Sequence, residues 1–245
     1  MSEDVAQLQA RLTSFYLTAL EELRCSGGLQ PEEMAVLSAP FLLNLQAAKA
    51  YFDAPTRIMF VGQETKGWLC RLPAVLENHA LVDDLLARYA TGLLANPGHS
   101  RFLQTRRYLE QQLAGGIPGA VIWNNLFKMD VYRGKKRSRN ARRFSDTLTE
   151  FSAKLFRFEF ELLRPDVVIL GCSATHDAVI KEVFEQPKRK TVLVHVPRAL
   201  WHFTYGHTDC FRTLHPAVGR FGRGQAVQGY YETIIEAVRA RRASS

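Results

Sequence analysis

Apolar residues recur at three- and four-residue spacing through Val5, Leu8, Leu12, Phe15, Tyr16, Leu20 and Leu23, predicting a helix over residues 4–24 that Gly27-Gly28 stops. The same periodicity predicts helices near 41–53, 79–94, 101–113, 146–163, 174–185 and 225–242. Between them stand four short, nearly continuous apolar runs: RIMFV (57–61), AVIW (120–123), DVVILG (166–171) and TVLVHV (191–196). Each lies beside Gly or Pro and is too short for a helix, so each reads as a buried strand. Strands that alternate with helices and are apolar on both faces predict a parallel sheet covered on both sides. The expected class is α/β: a three-layer αβα fold with a central, mostly parallel four-stranded sheet, plus N-terminal helices. No internal repeat or low-complexity linker interrupts the chain. It therefore reads as a single domain, with residues 1–54 as a helical extension and 55–242 as the α/β core.

Composition narrows the class. With 245 residues, 47% of them hydrophobic, there is material for one sizeable core. No apolar run approaches the roughly 18 residues of a membrane span, and no membrane partner is expected. The segment MSEDVAQLQARL begins acidic and has no apolar stretch of the signal-peptide kind, which predicts a cytoplasmic protein. Cys25, Cys70, Cys172 and Cys210 form no CxxC pair and read as reduced thiols.

The net charge is +8, and its excess is local: RGKKRSRNARR (133–143) holds seven basic residues and no acidic one. A polyanion is the natural partner of such a stretch, nucleic acid being the commonest, and a solvated basic loop is the alternative. In open α/β sheets ligands bind at the carboxyl ends of the strands. The polar groups of this chain gather just after the predicted strands: Gly62-Gln63-Glu64-Thr65, Asn124-Asn125, Gly171-Cys172-Ser173 and CFRTLHP (210–216). A carboxylate, amides and a histidine are thus expected in one cleft. With no Ser or Cys at a nucleophile elbow, that set fits hydrolysis by an activated water or charge stabilisation.

In order and spacing these segments resemble the uracil-DNA glycosylase superfamily. IMFVGQETKGW (58–68) is similar to its first motif and AVIWNNLF (120–127) to its Asn-ended strand. PDVVILGCSA (165–174) is similar to its later core strand, and LHPAVGRFGRG (214–224) to its His-Pro motif. The resemblance covers roughly residues 55–242. It implies a monofunctional DNA N-glycosylase that hydrolyses the bond between a flipped-out base and its sugar, leaving an abasic site in DNA repair or anti-phage defence. Glu64 takes the position of the family's catalytic acid, one methylene longer than the usual Asp. It would offset the positive charge that develops on the sugar. Gln63 would support the attacking water, and a neutral His215 would donate to the base oxygen as negative charge forms there. Gly62 and Asn124 or Asn125 would hold the base, an amide being able to pair with both a donor and an acceptor on a pyrimidine. Trp68 is a candidate stacking platform, or else a core aromatic. Lys135, Lys136, Arg137, Arg139, Arg220 and Arg223 would grip phosphates.

Two departures bear on the substrate. Lys66 and Gly67 occupy the region where the uracil enzymes carry an aromatic that excludes a substituent at the 5-position, and Val218 replaces the second Pro of the His-Pro motif. Uracil and a 5-substituted pyrimidine, such as glucosylated hydroxymethylcytosine, therefore both remain open. The spacing of His176, His195, His202, His207 and Cys210 matches no structural zinc site, and four scattered cysteines match no iron–sulfur pattern, so no metal or cofactor is expected. The partner is DNA and the expected state a monomer; a catalytically inactive DNA-binding module is the competing function. The basic stretch supplies a direct test. Replacing Lys135, Lys136 and Arg137 with Ala is expected to weaken binding to all DNA sequences alike. It should flatten the slope of log affinity against log salt by about one unit per lost phosphate contact. An unchanged slope makes the stretch a solvated loop.

Overall fold

The computed structural model describes residues 4–65, 67–96, 98–131, 146–221 and 224–244. In chain order these form α1 (Val5–Cys25), α2 (Pro31–Val36), α3 (Lys49–Phe52), β1 (Ile58–Gly62), α4 (Leu72–Glu77), α5 (Leu81–Leu94), α6 (Arg101–Leu113) and β2 (Val121–Asn125). There follow α7 (Asp146–Leu163), β3 (Val167–Leu170), α8 (Asp177–Val183), β4 (Arg189–Val196), β5 (Leu200–Tyr205), β6 (Thr208–Arg212) and α9 (Gly224–Ser244). Short 3-10 segments cover Ala174–His176 and Pro216–Phe221. The contacts gather into two compact units, each assembled from separate stretches of chain. The first is Met1–Ala47, Glu64–Gly92 and Asn125–Leu163; the second is Ala48–Gln63, Leu93–Asn124 and Arg164–Ser245. No helix among the described residues is long and apolar enough to cross a membrane.

The second unit carries the sheet. It has six strands rather than the four expected, in the order β2-β1-β3-β6-β5-β4. β1 pairs parallel to β3 and β3 parallel to β6, whereas β5 runs antiparallel to both β6 and β4. TVLVHV, expected as a core parallel strand, is part of an antiparallel edge strand whose Val192, Leu193 and Val194 are about half exposed. The reason is chain length. Three residues separate β4 from β5, and two separate β5 from β6, while a parallel crossover needs about a dozen. Gly206, at φ 59°, supplies the left-handed first position of the β5–β6 hairpin loop.

Alternation along the strands sets two faces. Ile58, Phe60, Val167, Ile169, Leu200 and Phe211 pack with Phe102, Leu109 and Leu113 of α6 and with Tyr231, Ile234 and Val238 of α9. On the opposite face, Phe184 beyond α8 meets Phe203 and Tyr205 edge-on at 5.5 and 5.2 Å, and Asp177 pairs with Arg212 at 2.8 Å. Helices thus lie on both faces of this mixed sheet.

In the first unit α1 packs against α7, with Phe15 stacked on Phe158 at 3.8 Å between ring centres. The helix expected near 41–53 reduces to α3. Phe41, Leu42, Leu43 and Leu45 are fully buried in irregular chain whose amides find distant acceptors: Phe41 N–H on Lys128 O, Leu43 N–H on the Tyr16 hydroxyl, Leu45 N–H on Gln9 Oε1. Those long-range bonds replace the local helical ladder that periodicity predicts.

The same unit buries an ion pair. Lys128 Nζ lies 2.5 Å from Glu159 Oε2, both side chains fully inaccessible, and the Tyr16 hydroxyl donates to Glu159 Oε1 at 2.7 Å. Burial pulls the Lys128 pKa down although Glu159 opposes it; burial and the same carboxylate push the Tyr16 phenol well above its ordinary value. Lys128→Met strands a charge in that site and is expected to cost about 3–5 kcal/mol in urea unfolding. Adding Glu159→Gln should recover much of the loss, because a neutral carboxamide still accepts from Tyr16. A loss under about 1 kcal/mol for the single variant would mean that water reaches the pair.

Candidate functional site

Register creates the site in the second unit. Val61, Leu170 and Arg212 stand side by side at the ends of β1, β3 and β6. The ladder then continues one residue further, with Gly171 N–H on Val61 O and Thr213 N–H on Leu170 O, both at 2.9 Å. Gly62-Gln63, Gly171-Cys172-Ser173 and Thr213-Leu214-His215 therefore leave the sheet at one level. Gly62, Gly171, Cys172 and Thr213 are buried, while Gln63, Ser173, Leu214 and His215 are half-buried.

Each segment is tied to the next. The Cys172 thiol donates to Gly62 O at 3.2 Å, and Gln63 Nε2 donates to Cys172 O at 3.0 Å. Ser173 N–H meets Thr213 O at 2.9 Å, and His215 N–H donates to Ser173 Oγ at 3.2 Å. Above Gly171, the Tyr231 hydroxyl of α9 lies 3.0 Å from where a Cβ would stand and donates to Leu214 O at 3.1 Å. A larger residue at Gly171 would push that hydroxyl aside. Burial, with a smaller contribution from Cys172, drives the Tyr231 phenol pKa well above its ordinary value, so it stays a donor.

The His215 ring is held on two sides. It lies against Phe102 with ring centres 5.8 Å apart and planes at 17°, and its Nδ1 is 3.1 Å from Ala217 N–H. A backbone N–H can only donate, so Nδ1 accepts, and the proton of the neutral ring sits on Nε2. Chemically, this is a fixed hydrogen-bond donor. Beside Pro216, a cavity of about 510 Å3 opens between α6 and α9, lined by Arg101, Gln104, Tyr108 and Gln228 among others, with no acidic side chain among the described lining residues.

Asn124 is fully buried, its amide 3.7 Å from the Met59 sulfur. Glu64, Asn125 and Trp68 belong to the first unit. There Asn125 is 1% exposed, and Trp68 packs into the core against Phe41 with Arg88 over its ring at 5.6 Å. The core-aromatic alternative for Trp68 matches that placement. Glu64, the residue after Gln63, is half-buried, and the chain beyond it is clamped by Asp130. Asp130 accepts from the Thr65 hydroxyl at 2.9 Å and from Gly67 N–H at 2.8 Å. Sequence reasoning missed Asp130, yet an acid inside the apolar run LFKMDV is a signal, because a buried carboxylate demands donors.

Lys66, Lys135, Lys136, Arg137, Arg139 and Arg223 lie outside the described residues, and Arg220 belongs to the turn Pro216–Phe221. Among the described residues no group of three or more His, Cys, Asp or Glu is arranged to hold a metal ion. No family model matches the chain, and no curated protein is detectably similar to it in sequence.

The ring geometry makes a spectroscopic prediction. At a pH where His215 is neutral, its Nδ1 is expected at the 15N shift of an unprotonated ring nitrogen and Nε2 at that of a protonated one. The opposite assignment would remove the donor role.

Proposed function

We propose that this protein is a DNA glycosylase built on a three-layer αβα domain, hydrolysing the N-glycosidic bond of a flipped-out pyrimidine. The observation that carries the reading is the Ala217 N–H on His215 Nδ1, which turns Nε2 of the ring into the donor at the carboxyl edge of the sheet. A departing pyrimidine develops negative charge that spreads onto its carbonyl oxygen, and a preorganised donor there acts without reorganising as the bond breaks. In this reading Glu64 serves the sugar, offsetting its positive charge and orienting water, while Gln63 keeps the adjoining chain at the level of the strand ends. The motifs of the resemblance order these groups in the same way along the chain.

DNA as partner is supported by the charge of the chain and by the cavity beside Pro216, whose described lining bears Arg101 and no carboxylate. The filter residue expected against a 5-substituent is replaced by Lys66-Gly67, so uracil and larger modified pyrimidines both belong in the assay. Incubation with DNA containing uracil, hydroxymethylcytosine or glucosylated hydroxymethylcytosine, followed by alkali, is expected to break the strand at one of these bases. Tight binding without any alkali-labile site would make the protein a binding module instead. Glu64→Gln keeps size and hydrogen bonding and removes the charge; base release is expected to fall at least about 100-fold with DNA affinity unchanged. Full turnover by that variant would exclude Glu64 from the chemistry.

A further inference from the structure

One residue of the site holds a backbone conformation that its side chain opposes. Ser173 stands at φ 66° and ψ 160°, a region occupied almost solely by glycine, because an L side chain there collides with its own backbone. Such strain persists only where the surroundings hold it, and its neighbours do so. Ser173 N–H is bound to Thr213 O at 2.9 Å, and Ser173 O accepts His176 N–H at 3.1 Å. Between those two anchors, the hydroxyl oxygen receives His215 N–H at 3.2 Å. Glycine would take up this backbone freely but has no hydroxyl. Serine bears the strain and supplies one.

We propose that Ser173 is a positioning residue for His215. Its strained backbone aims the hydroxyl at the His215 amide, and that bond ties the His215 segment to the end of β3. The other restraints act on different parts of the segment: Phe102 and Ala217 N–H hold the imidazole, and Tyr231 holds Leu214 O. With the Ser173 bond in place, the ring hangs from a backbone fixed against the sheet, so Nε2–H has a defined height above the strand ends. The purpose of this tether rests on the glycosylase reading; its geometry does not.

Ser173→Gly and Ser173→Ala separate the possibilities. Both lose the hydroxyl, but only Gly relieves the strain. The melting temperature of the Gly variant is expected to exceed that of the Ala variant by about 2–4 °C. In both, hydrogen exchange at the His215 amide should accelerate. On the modified-base DNA that the wild type cleaves, kcat should fall roughly 10- to 100-fold in both variants, with KM unchanged.

The decisive case is the Gly variant, the more stable of the two. A purely structural role predicts full kcat for it, which would overturn the proposal. A rise in KM with kcat unchanged would also overturn it, placing the hydroxyl on the substrate instead. Unchanged exchange at the His215 amide in both variants removes the tether itself. If the wild type releases no base from any DNA, the glycosylase reading falls. The exchange and melting data then still support or overturn the tether, because neither needs a substrate.

Discussion

Hydrogen-bond register across three strands governs the second unit. Because Val61, Leu170 and Arg212 align, the ladder ends at one level for β1, β3 and β6, and the residues that follow leave the sheet together. A slip of one residue in any strand would exchange its two faces. It would bury Met59 where Phe60 now meets Phe102, and it would displace Gln63, Ser173 or His215 from their shared level. The apolar faces thus enforce the polar geometry: Ile58, Phe60, Val167, Ile169 and Phe211 cannot leave α6 and α9 without exposing a large core.

Above that edge the protein uses backbone groups and buried side chains rather than a dense cluster of charges. Gln63, Cys172, Ser173 and Tyr231 each spend a polar group on a neighbouring main chain. The stack of Phe60, Phe102 and His215 connects the ring to the core of the sheet, so the histidine has one face against aromatic carbon. Packing together with an acceptor bond at Nδ1 is how a neutral imidazole is kept in one tautomer.

The first unit solves a different problem. It buries Lys128, Glu159, Tyr16, Asp130 and Ser38 among apolar side chains, and each polar group finds a partner from a distant part of the sequence. Buried polar groups without partners are expensive, so such networks discriminate strongly against misassembled alternatives. Asp130 links this network to the loop that begins with Glu64, through Thr65 and Gly67.

Local pattern was sufficient where local forces dominate. The helices over 5–25, 101–113 and 146–163 and the apolar strands around 58–61, 121–123 and 167–170 were legible because burial of one stripe or both faces leaves a period in the sequence. Gln63 and Ser173 follow two of those strands, whereas His215 follows β6, a strand that no predicted apolar run covers. What the sequence alone did not determine depends on partners far along the chain. Residues 41–48 carry enough apolar density for a helix, yet distant acceptors hold them in irregular chain. TVLVHV looks like a core strand, yet the hairpins β4–β5 and β5–β6 turn it into an edge. The strain at Ser173 and the tautomer of His215 have no trace in residue type or spacing. Both arise from single hydrogen bonds to Thr213, His176 and Ala217, groups that become neighbours only when the strands are in register.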